Sequence, residues 1–185
     1  FGDPADDKLV SREDLPEVTL NATGGGFVES PALEGKISSP LTMSVTGSLH
    51  ETGGRSVTRT LDVPFWPSQN LVGIRPLFSK DTVDGNSEAA FELVRLNAEG
   101  KAAPATQPLA VTLVREEKDY FWEYNSAEGW QRKDIVSEYP TVQKKITLDA
   151  QAHAHTAFAV QSGYYRLEVE DAETGLKAVY PFHAG

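Results

Sequence analysis

Cysteine is absent from the 185 residues, which removes a thiol nucleophile, a thiolate zinc site and any disulfide framework within the chain. Compartment stays open, because a reducing cytosol and an oxidising periplasm both accept a Cys-free domain. Positive charge is scarce: 17 Lys and Arg stand against 27 Asp and Glu, giving a formal net charge of -10 and a pI near 4.8. Such a surface repels nucleic acid and anionic lipid, so neither is an expected partner. Long apolar runs are missing too, none approaching the roughly 18 residues a spanning helix needs, and no basic segment leads into an apolar one at the N-terminus. These residues are not expected to insert into a membrane. A 3.6-residue amphipathic pattern never lasts beyond about two turns, which excludes a helical domain.

What the chain has instead is alternation. Leu41, Met43, Val45 and Leu49 interleave with Thr42, Ser44, Thr46 and Ser48; Val57, Leu61, Val63 and Phe65 interleave with Ser56, Thr58, Thr60 and Asp62. Between the two runs, Glu51 to Arg55 carries Gly53 and Gly54, which tolerate the positive φ of a tight antiparallel connection. A hairpin over Leu41–Phe65 follows. A weaker strand is expected from Glu17 to Asn21, with loops at Thr23 to Gly26 and Ser38 to Pro40.

Pro64 to Asn70 breaks the alternation and marks a domain boundary. Beyond it, strands are expected near 73–79, 89–97, 109–122, 141–148, 155–161, 164–171 and 176–183, separated by turns such as Asp84-Gly85-Asn86 and Glu173-Thr174-Gly175. Seven short strands in about 115 residues fit an immunoglobulin or fibronectin-III-like antiparallel β-sandwich. The class is all-β: residues 69–185 form a complete sandwich, while 1–68 hold too few strands and read as the latter portion of another. Val111, Leu113, Leu167, Val169, Tyr180 and Phe182 are expected in the core. The opening Phe1 to Asp7, acidic and turn-forming, reads as the middle of a longer polypeptide.

Several groupings imitate chemistry. His153 and His155 share one side of a strand, half of a zinc site, but no carboxylate or third His lies near in sequence, so a solvated loop is preferred. Asp81, Asp84, Asn86 and Glu88 miss the twelve-residue calcium-loop spacing and read as a plain turn. Glu116, Glu117 and Asp119, and separately Glu168 and Glu170, offer carboxylate pairs of the kind glycosidases use, yet their setting suggests surface charge. Tyr120, Phe121, Trp122, Tyr124 and Trp130 can stack on sugars or anchor an interface, although core or loop packing is preferred, with Trp122 and Trp130 packed across a hairpin inside the long connection after Val111. No nucleophile elbow, phosphate loop or His-Glu-x-x-His motif is present. No catalytic residue, cofactor site or metal site is assigned, and the chain is read as not an enzyme.

The order of short signatures is informative. Phe1-Gly2 followed by acids, Gly54 to Leu61 on the hairpin, Ile74-Arg75-Pro76-Leu77-Phe78 and the closing Gly163 to Val169 and Tyr180 to Gly185 together resemble the central macroglobulin domains of bacterial alpha-2-macroglobulins. The resemblance covers most of the chain. It implies a non-catalytic structural module of a protease-trapping inhibitor that changes conformation after bait-region cleavage. Other macroglobulin domains of the parent chain, target proteases met through the whole protein, and a peptidoglycan synthase are the partners it implies. It also implies a periplasmic parent, lipid-anchored to the inner membrane. The family's thioester motif contains Cys and therefore lies outside these residues. Two other readings stand beside it: a carbohydrate-binding or adhesin-type sandwich using Tyr120 to Trp130, and an enzyme whose carboxylates converge only in space.

Overall fold

Strand forms where the alternation is clean in the computed structural model, which describes residues 1–8, 12–29, 37–51 and 53–185. Strands β1 (Leu41–His50) and β2 (Ser56–Phe65) pair antiparallel from Leu41↔Phe65 to His50↔Ser56. The register puts Met43, Val45, Leu49, Val57 and Leu61 on one face and the hydroxyls on the other. On the hydroxyl face Thr46 meets Thr60 at 2.9 Å and Ser48 meets Thr58 at 2.8 Å, while the Ser44 hydroxyl bonds the Asp62 carboxylate. Both faces are open, and Leu61 is 65% exposed. Thr52 of the connecting turn lies outside the described residues.

The expected strand from Glu17 to Asn21 does not form. Residues 12–20 join no ladder, and Asn21 spends its side chain on a turn, its Oδ1 accepting from the Thr23 and Gly25 amides. Asx side chains of this kind offer the backbone a local alternative to sheet pairing.

The second unit is a sandwich of eight strands: β3 (Asn70–Pro76), β4 (Thr82–Val83), β5 (Ser87–Asn97), β6 (Leu109–Asn125), β7 (Gly129–Ile146), β8 (His153–Val160), β9 (Gly163–Asp171) and β10 (Leu176–Ala184). One sheet has the order β3-β5-β8 and the other β4-β10-β9-β6-β7; pairing is antiparallel except for the short parallel β4–β10 contact. Phe91 is the centre of the core, with Phe78, Phe158 and Phe182 around it at ring separations of 5.3, 6.4 and 5.4 Å. Val111, Leu113, Leu167, Val169 and Phe182 are buried as expected. Tyr180 is only half-buried, because its hydroxyl reaches out to the Asp81 carboxylate. Burial, and then the neighbouring Asp81, push the Tyr180 phenol above its ordinary range.

A buried clasp closes one end of the sandwich. Arg95 on β5 is 2% exposed and donates Nε to Asp171 at 2.8 Å, Nη2 to Glu173 at 2.9 Å and Nη1 to the carbonyls of Ala103 and Pro104. Glu173 in turn accepts from Thr106 and Gln107, and these bonds, that from Thr106 first, hold its carboxyl below the usual range. All three nitrogens of a charge that would be costly to bury bare are thereby engaged.

The two units meet through the first residues of the chain. The Phe1 ring lies against Gly73 and 6.2 Å from the Trp66 ring, and the Gly2 carbonyl accepts from the Val179 amide at 2.7 Å. Asp6 binds the Ser38 and Ser39 amides, both at 2.8 Å, fixing the short 3-10 helix Pro4–Lys8 to the start of the hairpin.

Candidate interaction surface

Beyond Glu116 the pairing of β6 with β9 stops, but β6 continues against β7 alone for nine more residue pairs, from Glu117↔Ser137 to Asn125↔Gly129. At about 3.4 Å per residue this is a two-stranded arm about 30 Å long. The hairpin expected inside the connection after Val111 forms, as strand on both sides of a turn at 126–128, but Trp130 meets Tyr124 across it and not Trp122. The aromatics placed in a core or a long loop are exposed instead, Tyr120 55%, Trp122 58%, Tyr124 63% and Trp130 67%. Register explains the miss, since Tyr120, Trp122 and Tyr124 fall on the outward face of the sheet with Glu116 and Tyr164, and alternation by itself does not say which face is covered.

Local chemistry holds the arm. Asn125 Oδ1 accepts from the Ala127 amide at 3.0 Å, and Gly129 takes φ 74°, closing the tip. At its root the register shifts between Leu113 and Val114, and Thr141 Oγ1 donates to the Leu113 carbonyl at 3.0 Å. A bulge of this sort bends and twists the strand where the ribbon leaves the sheet.

Residues directly opposite share a face. Tyr120, Trp122 and Tyr124 therefore stand with Asp134, Arg132 and Trp130. Tyr124 and Trp130 meet edge to face at 5.4 Å, and the Arg132 guanidinium lies 4.5 Å from the Tyr120 centroid. The same face continues onto the sandwich, where Lys118 sits 4.5 Å over the Tyr164 ring and Tyr164 packs against His183 at 4.7 Å. The opposite face carries Glu117, Asp119, Phe121 and Glu123.

The carboxylates single out another feature at the arm's root. Arg166 on β9 donates to Glu116 at 2.9 Å, Glu138 at 2.7 Å and Glu168 at 2.7 Å, and Lys177 adds a bond to Glu168 at 2.9 Å. The Arg166 bond holds the Glu138 carboxyl below its usual range. For Glu168 burial pushes upward, but the bonds from Lys177 and Arg166 outweigh it and the net shift is downward. Arg166 itself is shifted upward, chiefly by Glu138. One guanidinium thus holds three carboxylates by charge-assisted bonds. Glu117 lies 3.8 Å from Arg115, Asp119 bonds the Tyr120 amide, and Glu170 is exposed.

His153 and His155 lie on β8, not in a loop. Sheet pairing supplies the carboxylate that sequence distance hid: Glu92 lies opposite His155, and its Oε1 is 3.0 Å from His153 Nδ1. That contact leads the effects lowering the Glu92 carboxyl, with Arg75 paired to its other oxygen. Among the described residues no group of three His, Cys, Asp or Glu has an arrangement that could hold a metal ion. In the acidic turn, Asp81 and Asn86 have φ 53° and 56°, and the Asp81 carboxylate is occupied by Tyr180. Arg166, Arg132 and Lys118 escaped the sequence reading because their partners are set by cross-strand register.

Residues 73–185 match the family described as bacterial macroglobulin domain 6, and residues 1–67 match the bacterial alpha-2-macroglobulin MG5 domain. The chain belongs to the bacterial alpha-2-macroglobulin family. An alpha-2-macroglobulin of Xylella fastidiosa (strain 9a5c) is 39% identical over 189 residues, covering 100% of this chain and 11% of that protein. The cryo-EM structure of native Escherichia coli alpha-2-macroglobulin superposes with a TM-score of 0.80 at 33% identity, covering 100% of this chain and 12% of its own. The E. coli protein activated by porcine elastase gives 0.76 at 35% identity, covering 100% of this chain and 16% of its own. The chain thus spans about one ninth to one sixth of the length of these relatives, and its architecture is that of macroglobulin domains. Among the described residues no helix is long and apolar enough to cross a membrane.

Proposed function

We propose that this chain is a non-catalytic structural module of a bacterial alpha-2-macroglobulin whose parent traps proteases and rearranges after bait-region cleavage. The observation that carries the reading is the likeness of the one chain to both native and elastase-activated E. coli forms, with TM-scores of 0.80 and 0.76. A module whose fold fits both forms moves as a near-rigid body while its neighbours are repositioned. The buried clasp and the core around Phe91 supply that rigidity.

In this reading residues 69–185 are a complete macroglobulin domain, and residues 1–68 are the latter portion of the preceding one. Strands elsewhere in the parent cover the apolar face of β1 and β2, since an isolated two-stranded sheet is marginal in water. The partners are other macroglobulin domains, target proteases through the whole protein, and a peptidoglycan synthase alongside a lipid-anchored periplasmic parent. Catalysis is no part of the role: the converging carboxylates are held by Arg166.

The test is steric. Parent protein incubated with elastase should protect a large protein substrate while small-peptide hydrolysis continues, whereas the 185-residue chain alone should protect neither and hydrolyse neither peptides nor glycosides. Equal cleavage of large substrate with and without the parent sinks the trapping role, and hydrolysis by the chain sinks the non-catalytic one.

A further inference from the structure

We infer that the aromatic face of the β6–β7 arm, centred on Trp122, is the docking surface for the domain that follows Gly185 in the parent chain. The inference rests on the proposed reading of this chain as one module of a longer macroglobulin.

Three observations converge on that occupant. The first is direction. β10 is antiparallel to β9, which is antiparallel to β6, so β10 and the arm run the same way. Ala184 pairs with Gly163, next to the Tyr164↔Glu116 pair at the arm's root, and the Gly185 amide donates to the Val83 carbonyl at 2.9 Å. The chain therefore leaves the sandwich beside the root of the arm, heading along it. The second is how much chain is outside: relatives of which this stretch is 11% supply further domains to fill the space beside the arm. The third is continuity. The aromatic face does not start on the arm but at His183, two residues before the exit, and passes through Tyr164 and Lys118 to Tyr120 and Trp122.

The composition of the face favours a protein surface over a glycan. A sugar platform presents flat rings side by side, but Arg132 lies over one face of Tyr120, Lys118 over one face of Tyr164, and Tyr124 and Trp130 meet edge to face at 63°. Trp122, 58% exposed, stands between these pairs along β6. One large aromatic ringed by engaged cations and further aromatics is the pattern of an interface anchor with a rim that excludes water. The cations already serve the rings, so apolar burial, not charge, makes the contact.

The experiment places the photo-cross-linker p-benzoylphenylalanine at Trp122 in the full parent chain and maps the products by mass spectrometry. Cross-links within one molecule to peptides C-terminal to residue 185 are expected. Cross-links to a second copy, to peptides preceding this stretch, or none at all would overturn the inference. In parallel, hydroxyl-radical oxidation of Trp122 and Trp130 should be about tenfold slower in the parent than in the 185-residue chain, as exclusion of water by a docked surface requires. Equal rates, or slowing only when a soluble glycan fragment is added, count against it. The protease-protection assay above is run on the same parent, so loss of trapping and loss of docking are read separately.

Discussion

Arg166 Nη2 donates to Glu138 Oε2 at 2.7 Å, reaching from β9 past β6 to β7, so the guanidinium ties the sandwich to the base of the arm. The same group holds Glu116 on the intervening strand. Three strands are fastened by one side chain where the five-stranded sheet narrows to the two-stranded arm.

Arg166→Met should therefore loosen the arm before the core. A destabilisation of about 1 to 3 kcal/mol is expected from the loss of charge-assisted bonds that are only partly screened from solvent. Hydrogen exchange at residues 116–120 and 134–140 should rise while that at Leu167 and Val169 follows global stability. Uniform exchange across all strands would remove the clamp role.

Acid should act through the same cluster. Glu138 and Glu168 are shifted downward on folding, so the folded state binds their protons less readily than the unfolded chain. Their contribution is complete above the ordinary glutamate pKa of about 4.3 and is lost as pH falls through the lower folded values. The urea midpoint of the native chain should drop through that window, and the drop should be shallower in Arg166→Met. Identical slopes for the two proteins would count against the linkage.

Leu167 and Trp122 make a contrasting pair. Leu167 is 0% exposed, and Leu167→Ala should cost about 2 to 5 kcal/mol, the range for truncating a packed core leucine. Trp122→Ala, at 58% exposure, should shift the stability of the 185-residue chain by no more than about 0.5 kcal/mol. Equilibrium unfolding of both variants in urea checks the prediction, and a large effect at Trp122 would mean the arm is part of the folded core.

Arg95→Met should be among the most damaging substitutions, at about 3 to 5 kcal/mol, because it leaves the buried Asp171 carboxylate without its partner. Adding Asp171→Asn should recover part of that loss. A double-mutant cycle measures the coupling, and strict additivity would show that the two side chains do not act as a unit.

Gly73→Ala should unseat the first residue of the chain. A Cβ there would lie 2.9 Å from the Phe1 ring and 3.1 Å from Val94, too close for either to remain in place. Trp66 fluorescence should shift red as Phe1 leaves it, with little change in the unfolding midpoint of the sandwich. An unshifted spectrum would show that the Phe1 seat tolerates the added carbon.

Sequence alone determined the class, the β1–β2 hairpin and five of the six expected core residues, because period-2 alternation and turn chemistry act over a few neighbouring residues and need no partner elsewhere. Ordered signatures from Phe1-Gly2 to Tyr180-Pro181 also pointed to the family. Tertiary structure decided what depends on register and on missing strands. Glu92 reaches His153 across 61 residues and Arg95 reaches Asp171 across 76, contacts that no local pattern encodes. Whether an alternating aromatic run is core or exposed depends on which face its register gives it: Tyr120, Trp122 and Tyr124 share the outward face of Glu116 and Tyr164, whereas Val111 and Leu113 share the inward face of Val169 and Leu167. At Glu116 the pairing with β9 ends, and beyond that boundary the ribbon carries these outward aromatics clear of the sandwich as a surface open to a partner.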